Sequence, residues 1–481
     1  MLNTIIHTSE NNNFYLYDDP HRGSFLIHPE LAKAQEEAAD TDPYYRKKYA
    51  YLKNHGFFGT SEAIAFKTEV DESTVKKGIT ETKQIVFEVT DACNLKCSYC
   101  VLGELYGGDE KNNKRNIDAQ AAVHLLKHIF ALKREHQETQ LNISFYGGEP
   151  LLNISFIQQI VAMVNQLNTG EDLNITYLMT TNGTLIGKHL PFLVENKFNI
   201  MISLDGNEAN DSYRSFRKNS QATFPLVIEN LDKIQRDYPA YFNRYISFNA
   251  VLHDRNSVKD IYEFIYNRYH KIPQISELSP AHIHPHQRGL FDQMFRSRSK
   301  SEAAYQKEDS GLVSMTHMET VGFNELKDFL KYYSIHFYVS NITASLLEEE
   351  KVLPTNTCIP FSKKIFLTAR NQLFPCEKTN YEYAMGEANP TVVLDIPAIT
   401  RRLNAYYRQL EKTCRHCYVH RFCGVCMFRA DSLSGSETEK FVCDRFHDQK
   451  AFQAKLHRIF SFLEKYPQDL SEIIENVIIT S

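Results

Sequence analysis

The cysteines are the residues of this 481-residue chain whose spacing best indicates chemistry. Cys93, Cys97 and Cys100 form a C-x3-C-x2-C pattern, and no other cysteine precedes residue 358. Seven more lie in the last quarter or so of the chain: Cys358, Cys376, Cys414, Cys417, Cys423, Cys426 and Cys443. Cysteines used only as small buried residues would be scattered, so this distribution indicates ligands of metal centres.

The early trio follows a run rich in β-branched residues, Gln84–Thr90, which predicts a strand. The cysteines are therefore expected on a loop at the C-terminal end of that strand. Three thiolates this close can bind three corners of a cubane [4Fe–4S] cluster and leave the fourth iron open to a small molecule. A zinc knuckle with a distant fourth ligand is the alternative.

At this trio the chain resembles the radical S-adenosylmethionine (SAM) enzymes. A predicted strand at Leu141–Tyr146 is followed by Gly147, Gly148, Glu149 and Pro150, which resemble the family's GGEP motif. The resemblance implies that this motif holds the amino group of the SAM methionine. Glycines allow close approach of the backbone, and a carboxylate suits an ammonium group.

Two further predicted strands, residues 175–183 and 199–206, resemble the family's TNG and SLDG segments. The resemblance implies that SAM is also contacted by Tyr99, Thr181, Asn182, Ser203 and Arg214. In that reading Arg214 clamps the methionine carboxylate with two hydrogen bonds, Ser203 reaches the carboxylate or the ribose, and Tyr99 packs on the adenine. Strand-end capping by Ser203 and a surface ion pair of Arg214 are the alternative roles.

Six predicted strands between residues 84 and 279 alternate with apolar stripes of helical period at 118–132, 153–167 and 225–236. Such alternation predicts parallel βαβ units in an α/β fold. The family resemblance implies a partial (β/α)6 radical SAM barrel with its chemistry at the C-terminal strand ends. The polar stretch that follows, residues 284–320, is predicted to be a loop or lid. Alternating histidines at its near edge favour a polar face over a metal site: His282, His284 and His286.

The C-terminal cysteines resemble those of the SPASM domain, which carries auxiliary [4Fe–4S] clusters in peptide-modifying radical SAM enzymes. The resemblance implies one cluster with four ligands: Cys414, Cys417, Cys423 and Cys443. It implies a second with three: Cys358, Cys376 and Cys426. The chain departs from the family pattern at Asn371, where the family has glycine and where asparagine also tolerates left-handed backbone. It also has a final C-x2-C where the family spacing is three. The alternative is a zinc ribbon, which needs only four of the seven thiolates.

Glu377 directly follows Cys376. In the anaerobic sulfatase maturases an aspartate at the matching place is thought to take a proton from the substrate, so the resemblance implies this catalytic role for Glu377. The alternative is a surface carboxylate beside Lys378.

The first eighty residues are typical of a small α+β lobe. The sequence predicts a hairpin of strands Phe14–Asp18 and Ser24–His28, helices at 31–39 and 42–54, and a strand at 62–69. This arrangement resembles the peptide-recognition module ahead of many maturases of ribosomally made peptides, which binds a leader peptide as an added strand. The predicted domains are this lobe (1–79), the partial barrel (80–283), a lid and bridging region (284–345), and a SPASM domain with a C-terminal helix (346–481).

Composition limits the classes of function. The formal net charge is −5, from 54 basic and 59 acidic residues, so no broad nucleic-acid-binding surface is expected. No run of 18 apolar residues occurs, and the N-terminus lacks the basic start and apolar core of a signal peptide. We therefore expect a cytoplasmic protein with reduced cysteines and with neither nucleic acid nor membrane as a partner.

The resemblance implies a radical SAM oxidoreductase with one SAM-binding [4Fe–4S] cluster and two auxiliary clusters. The predicted function is a peptide maturase that removes a hydrogen atom from a ribosomally made precursor peptide and forms an oxidative thioether or carbon–carbon cross-link. Its implied partners are the precursor with its leader and an electron donor such as a flavodoxin or ferredoxin. Two alternatives stay open: a sulfatase-type maturase that makes formylglycine, and a non-catalytic peptide- or SAM-binding protein on a degenerate barrel.

Overall fold

The computed structural model of the protein divides into two compact units. The first unit comprises Met1–Glu69, Gly311–Thr357 and Arg402–Ser481, and the second comprises Val70–Ser310 and Cys358–Arg401. The structure describes residues 2–18, 23–61, 66–106, 114–170, 173–308, 320–333, 353–379, 381–389, 391–420, 423–429, 433, 435, 439, 441–443 and 445–474.

The strands of the described residues are β1 (Leu2–Asn3), β2 (Ile5–Thr8), β3 (Phe14–Asp18), β4 (Gly23–Ile27), β5 (Thr60–Ser61), β6 (Gln84–Thr90), β7 (Gln140–Gly147), β8 (Asn174–Thr181), β9 (Asn199–Ser203), β10 (Ile246–Leu252), β11 (Gln274–Glu277), β12 (Lys364–Leu367), β13 (Gln372–Phe374) and β14 (Gly386–Glu387).

The helices are α1 (Pro29–Gln35), α2 (Pro43–Asn54), α3 (Glu72–Thr80), α4 (Ala119–Glu135), α5 (Ile154–Leu167), α6 (Ile186–Glu195), α7 (Phe224–Asp237), α8 (Pro239–Tyr245), α9 (Val258–Tyr269), α10 (Arg288–Met294), α11 (Arg298–Glu308), α12 (Val321–Tyr333), α13 (Ile396–Cys414), α14 (Gln449–Lys465) and α15 (Gln468–Glu472). None of the helices in the described ranges is long and apolar enough to cross a bilayer.

The second unit is built on one sheet with the strand order β11-β10-β9-β8-β7-β6-β12-β13-β14. Strands β6 to β11 lie in sequential order and each is parallel to its neighbours. Helices connect these strands, as right-handed βαβ units require. The prediction of six parallel strands alternating with helices is therefore confirmed, and β6 and β10 have the predicted bounds.

The two faces of this sheet differ because neighbouring residues of a strand point to opposite sides. Phe87 and Phe145 are fully buried, and Phe87 packs edge-on against Phe156 of α5 with ring centroids 5.8 Å apart. Val86, Glu88 and Tyr146 point the other way, and Glu88 and Tyr146 are register partners. We call the face that carries these three residues the inner face.

Three more strands extend the parallel sheet beyond β6. Strand β12 pairs in parallel with β6, while β13 and β14 continue antiparallel. The turn between β12 and β13 contains Asn371 with φ of 63°, so the prediction that asparagine takes left-handed backbone at this position is confirmed. These strands are only two to four residues long, and β12 pairs with a strand far away in sequence, so local periodicity gave no signal for them.

The first unit contains the predicted hairpin, formed by β3 and β4, and a strand that the sequence reading missed, β2. One face of this three-stranded sheet packs on α12 and α14 in an apolar cluster that includes Ile5, Tyr17, Phe329, Phe452 and Ile459. Strand β2 escaped prediction because one of its two inward residues is a histidine, His7, which is 1% exposed.

Two local predictions are wrong. Residues 66–69 form no strand, and 62–65 lie outside the described residues. The stretch predicted as a loop or lid contains α10 and α11, because Phe291 and Met294 are buried in an apolar cluster with Tyr99 and Arg298 pairs with the buried Glu302 at 2.7 Å. Residues 309–319 of that stretch lie outside the described residues. The boundaries of the four predicted domains stay a prediction.

Candidate functional site

Cys93, Cys97 and Cys100 lie on the loop that leaves the C-terminal end of β6, as predicted. We call residues 91–106 the cluster loop. All three thiols are free and partly exposed. The loop is tied to the segment after β9 by two backbone hydrogen bonds of 2.8 Å, from Lys96 N to Ser215 O and from Arg217 N to Asn94 O.

Burial raises the pKa of all three thiols, that of Cys93 to about 11. Cys100 and Cys93 raise the pKa of Cys97 beyond the effect of burial, whereas Arg214 lowers it. The three sulfur atoms are therefore near one another. Among the described residues, which include His282, His284 and His286, no three His, Cys, Asp or Glu side chains are arranged as ligands of a single metal ion. A cubane cluster differs from a single ion because each thiolate binds a separate iron.

Gly147 and Gly148 pack directly against the start of the cluster loop. A Cβ atom at Gly147, where φ is 126°, would lie 2.3 Å from Thr90 O, and one at Gly148 would lie 2.1 Å from Ala92 O. The amide of Gly148 donates to Thr90 O at 2.9 Å and the amide of Glu149 donates to Ala92 O at 2.9 Å. These glycines are therefore required for contact between two backbone segments of the protein itself, which the sequence reading did not foresee.

The Glu149 carboxylate is fully buried and connects the ends of β7 and β8. Its Oε1 accepts from Thr181 Oγ1 at 2.7 Å and from Leu151 N at 3.1 Å, and its Oε2 accepts from Asn182 N at 2.8 Å. Burial raises the pKa of Glu149, and the bond from Asn182 N opposes this most strongly. The structure thus brings the predicted residues Glu149, Thr181 and Asn182 together, and contact of Glu149 with SAM stays a prediction.

Asn182 also reaches the cluster loop. Its Nδ2 lies 2.9 Å from Asn94 Oδ1 and 3.9 Å from Cys93 Sγ, while Asn94 Nδ2 donates to Thr184 Oγ1 at 2.9 Å. The ends of β6, β7 and β8 therefore form one hydrogen-bonded network around Cys93.

Asp205, which follows β9 in the SLDG segment, joins two other predicted residues. It binds Arg214 through two hydrogen bonds, Nε–Oδ2 at 3.0 Å and Nη2–Oδ1 at 3.1 Å, and accepts from the Tyr99 hydroxyl. Its Oδ2 is also 3.7 Å from His253 Nε2. Burial alone would raise the pKa of Asp205, but Arg214, His253 and Tyr99 hold it well below the usual range.

Asp211 lies on the other side of Arg214, with Oδ1 at 3.4 Å from Nε. Burial raises its pKa to about 7 against the influence of Arg214. Its second oxygen, Oδ2, has no hydrogen-bond partner among the described residues. The sequence reading missed Asp205, Asp211 and His253, although the place of Asp205 within SLDG was a signal.

Tyr99 contacts the rings of His253 and Tyr213, which also contact each other with centroids 4.9 Å apart. It stacks on His253 with centroids 5.5 Å apart and meets Tyr213 edge-on at 6.1 Å. Ser203 ends β9 half-buried and is the register partner of Asn249. A role of Tyr99 or Ser203 toward SAM stays a prediction.

Residues 87–265 match the Radical SAM superfamily. This segment begins inside β6 and includes the cluster loop, the GGEP turn, Asp205 and Arg214. The chain contains a radical SAM domain. The radical SAM superfamily uses a [4Fe–4S] cluster and SAM, and the three free thiols Cys93, Cys97 and Cys100 fit a cluster held at three irons.

Two curated relatives match parts of the chain. The chain is 24% identical over 278 residues to the radical SAM cyclopropyl synthase TigE of Paramaledivibacter caminithermalis, covering 52% of this chain and 56% of TigE. It is 33% identical over 156 residues to a cysteine-type anaerobic sulfatase-maturating enzyme of Clostridium novyi, covering 31% of this chain and 39% of that enzyme. The chain thus spans about half the length of these relatives or less.

Among solved structures, anSMEcpe with bound AdoMet matches with a TM-score of 0.54 at 18% identity, covering 82% of this chain and 100% of that chain. A second structure of the same protein, with AdoMet and the Cp18Cys peptide, gives 0.52 at 18% identity, covering 82% and 98%. At this identity the likeness shows the fold. The predicted α/β radical SAM fold is therefore confirmed.

Two of the remaining cysteines lie in the second unit with the radical SAM domain. Cys358 is exposed, and Cys376 follows β13 and is partly buried. Burial raises the pKa of Cys376 to about 12, and the neighbouring Glu377 adds to this.

Glu377 contacts groups on both of its oxygens. Its Oε1 lies 2.7 Å from Lys364 Nζ, and its Oε2 accepts from Cys376 Sγ at 3.2 Å. Burial opposes ionisation, but Lys364 lowers the pKa of Glu377 below its ordinary value. Glu377 is thus an ionised carboxylate beside Cys376. The sequence reading missed Lys364.

The other five cysteines lie in the first unit, where Cys414 ends α13. The pKa of Cys414 is raised first by burial and then by Cys423, Cys417 and Cys443. These are the three thiols predicted to share a cluster with it. The Thr413 hydroxyl donates to Phe441 O at 2.8 Å, which brings the segment that carries Cys443 close to Cys414. The ligand set predicted for the other cluster includes Cys426 in this unit, and that set stays a prediction.

Proposed function

We propose that this chain is a radical SAM peptide maturase, which removes a hydrogen atom from a ribosomally made precursor peptide and forms an oxidative thioether or carbon–carbon cross-link. The observation that carries the proposal is the group of three free thiols at the C-terminal end of β6, beside the buried Arg214–Asp205 pair. When bound, the cluster and SAM supply the one-electron chemistry that removes a hydrogen atom from a substrate carbon.

In this proposal Cys93, Cys97 and Cys100 hold the cluster, and a flavodoxin or ferredoxin reduces it. Arg214 uses Nε and Nη2 for Asp205, so we assign its Nη1 donors to the methionine carboxylate of SAM. Gly147, Gly148 and Ser203 line the same end of the sheet. Glu149 acts mainly by fixing Thr181 and Asn182, since both of its oxygens accept hydrogen bonds from the protein.

The seven later cysteines would hold two auxiliary clusters in a SPASM-type arrangement, one through Cys414, Cys417, Cys423 and Cys443 and the other through Cys358, Cys376 and Cys426. An oxidative cross-link releases one electron from the substrate radical, and an auxiliary cluster is a suitable acceptor. Glu377 is ionised and lies beside Cys376, so it is the carboxylate that we assign to accept the substrate proton.

The N-terminal lobe supports a peptide as the substrate. Strand β4 is one of the two outer strands of its three-stranded sheet, and the side chains of Phe25 and Leu26 on this strand are 41% and 67% exposed. An extended leader peptide could pair with such an edge and cover both apolar side chains. The proposed setting is the cytoplasm, where the thiols stay reduced.

A sulfatase-type maturase that makes formylglycine is the second candidate. It is favoured by the carboxylate of Glu377 beside Cys376 and by the likeness to the Clostridium novyi enzyme. The two candidates predict different products. Formylglycine formation leaves an aldehyde, made either by replacing the sulfur of a cysteine with oxygen or by removing two hydrogen atoms from a serine, whereas a cross-link leaves no aldehyde.

The test is anaerobic incubation of reconstituted protein with SAM, a strong reductant and the short peptide encoded beside this reading frame. The proposal predicts 5′-deoxyadenosine and a peptide product that has lost two hydrogen atoms. A product that carries an aldehyde, from a cysteine that has exchanged its sulfur for oxygen or from a serine that has lost two hydrogen atoms, would favour the second candidate. Formation of neither product nor 5′-deoxyadenosine would contradict both.

A further inference from the structure

Glu88 is a buried carboxylate on the inner face to which the proposed reaction assigns no role. It lies on β6, is 4% exposed, and has Tyr146 as its register partner on β7. Burial raises the pKa of Glu88, and hydrogen bonds from Ala369 and Tyr381 act in the opposite direction. A carboxyl group in such a place is costly unless its oxygens are hydrogen-bonded, so its partners are informative.

Both partners of Glu88 belong to the segment that carries Cys376. The amide of Ala369, in the turn between β12 and β13, donates to Oε2 at 2.9 Å. The hydroxyl of Tyr381, five residues beyond Cys376, donates to Oε1 at 3.0 Å. Glu88 therefore ties the chain on both sides of Cys376 to β6.

A further contact holds the middle of this segment. Lys364, the first residue of β12 and the register partner of Gln84 on β6, reaches Glu377 at 2.7 Å. The Tyr381 ring packs edge-on against Phe374 with centroids 5.5 Å apart. The segment is thus attached to the parallel sheet by two side chains, Glu88 and Lys364, and the contact of Tyr381 with Phe374 holds the two sides of the Cys376 turn together.

Tyr146 shows what this attachment brings together. Burial raises the pKa of its phenol group, and Cys100 of the cluster loop, Glu377, Glu88 and Cys376 all add to this effect, so groups from both segments lie near it. Strand β6 leads directly into the cluster loop. Strand β6 and the loop that follows it therefore carry both Glu88, which holds the Cys376 segment, and the three early cysteines.

We propose that Glu88 is a positioning residue that fixes the Cys376–Glu377 turn over the inner face through Ala369 and Tyr381. Because β6 also carries the cluster loop, Glu88 sets the separation between the SAM cluster and the centre to which Cys376 belongs. Electron transfer between the two depends on that separation. The inference rests on the proposed function only in treating Cys376 as a cluster ligand.

The experiment compares hydrogen–deuterium exchange in the full-length reconstituted protein and its Glu88→Gln, Tyr381→Phe and Glu229→Gln variants. Gln keeps the size of Glu88 but has one acceptor oxygen for two donors, and Glu229 is an exposed carboxylate on α7 of the same unit. We expect amides of residues 369–379 to exchange about tenfold faster in Glu88→Gln, less so in Tyr381→Phe, and at the wild-type rate in the control. Exchange in α4 should not change in any variant.

A second readout separates positioning from simple stabilisation. We expect the reduction potential of an auxiliary cluster to shift in Glu88→Gln while that of the SAM cluster does not. The proposal is overturned if residues 369–379 of Glu88→Gln exchange at the wild-type rate. It is also overturned if they exchange faster while the reduction potential of the auxiliary cluster does not change. If Glu88→Gln fails to fold, Tyr381→Phe, which removes one hydroxyl group, decides by the same criteria. If the variants show the expected exchange rates but the wild-type protein does not cleave SAM, the proposed function is contradicted and the positioning role of Glu88 is not.

Discussion

Arg214 and Asp205 form a buried ion pair with two hydrogen bonds, Nε–Oδ2 at 3.0 Å and Nη2–Oδ1 at 3.1 Å. Asp205 also accepts from the hydroxyl of Tyr99, which lies between two cysteines of the cluster loop. One carboxylate thus fixes both the arginine assigned to SAM and the aromatic ring beside the cluster ligands. Its removal should affect folding and cofactor binding together.

We predict that Asp205→Asn destabilises the protein by about 3–5 kcal/mol, because the buried Arg214 loses the carboxylate that binds it with two hydrogen bonds and keeps only the more distant Asp211. SAM binding should weaken in the same variant, since Arg214 loses its fixed orientation. Chemical denaturation measures the first effect, and equilibrium binding of SAM to the reconstituted protein measures the second.

The matched control is Asp232→Asn, which removes the carboxylate of the Arg268–Asp232 pair. That pair is as short, at 2.6 Å, but its side chains are 43% and 42% exposed. Its loss should cost no more than about 1 kcal/mol. Equal destabilisation by the two substitutions would show that the Arg214–Asp205 pair has no special role.

Gly148→Ala should displace the cluster loop without adding charge or bulk elsewhere. Its Cβ would lie 2.1 Å from Ala92 O, a backbone atom that cannot turn away as a side chain could. We expect a loss of roughly 1–3 kcal/mol in stability and a lower iron content after reconstitution. Gly289→Ala is the control, since nothing lies within 4 Å of its added Cβ. Normal iron content in Gly148→Ala would contradict this account of the turn.

Much of the radical SAM core could be predicted from the sequence, because each motif directly follows a strand with a strong local pattern. The cluster loop after β6 and the GGEP turn after β7 are of this kind. The partners of the motif residues could not be predicted. Contact of Glu149 with the ammonium group of SAM stays a prediction, but local patterns gave no signal for the protein groups that its oxygens bind, which lie 2, 32 and 33 residues further along the chain.

The contacts of the Cys376 segment were hidden for the same reason. Lys364 reads as an ordinary charged residue, and Glu88 lies more than 280 residues before Ala369. No local pattern reports a pairing over that distance. Asn371 could be predicted because its left-handed conformation depends on its own backbone and side chain.

His7 makes the stability of the first unit depend on pH. It is 1% exposed, neither of its ring nitrogens has a side-chain partner, and it lies against the rings of Tyr15 and Phe460. Burial lowers its pKa from 6.5 to about 4, with a smaller lowering by His457 and an opposing effect of the Thr8 backbone. Glu464 also lies close to these rings and accepts from the Tyr15 hydroxyl at 2.7 Å.

The unfolded chain binds a proton at His7 more readily than the folded one. The free energy of unfolding should therefore be highest above the pKa that His7 has in the unfolded chain. It should fall as the pH drops from about 6.5 towards 4, by about 3 kcal/mol in total. Chemical denaturation across this range, compared with His7→Phe, measures the effect. If the His7→Phe variant loses as much stability as the wild-type protein between pH 6.5 and 4, the pH dependence arises from other groups.

Cys417→Ala separates the auxiliary centre from the SAM cluster. We predict that this variant binds about four fewer irons per chain but still cleaves some SAM, because Cys417 belongs to the first unit and the cluster loop to the second. Cys97→Ala should show the reverse, with no SAM cleavage and with the auxiliary iron retained. Iron content unchanged in Cys417→Ala would contradict an auxiliary cluster at this cysteine.

The most direct test of the account is reductive cleavage of SAM by anaerobically reconstituted protein, measured as 5′-deoxyadenosine. Wild-type protein and a Ser98→Ala control, which alters an exposed residue of the same loop, should both form it, and Cys97→Ala should not. Wild-type protein that binds iron and sulfide yet forms no 5′-deoxyadenosine, with or without a candidate peptide, would contradict the central claim.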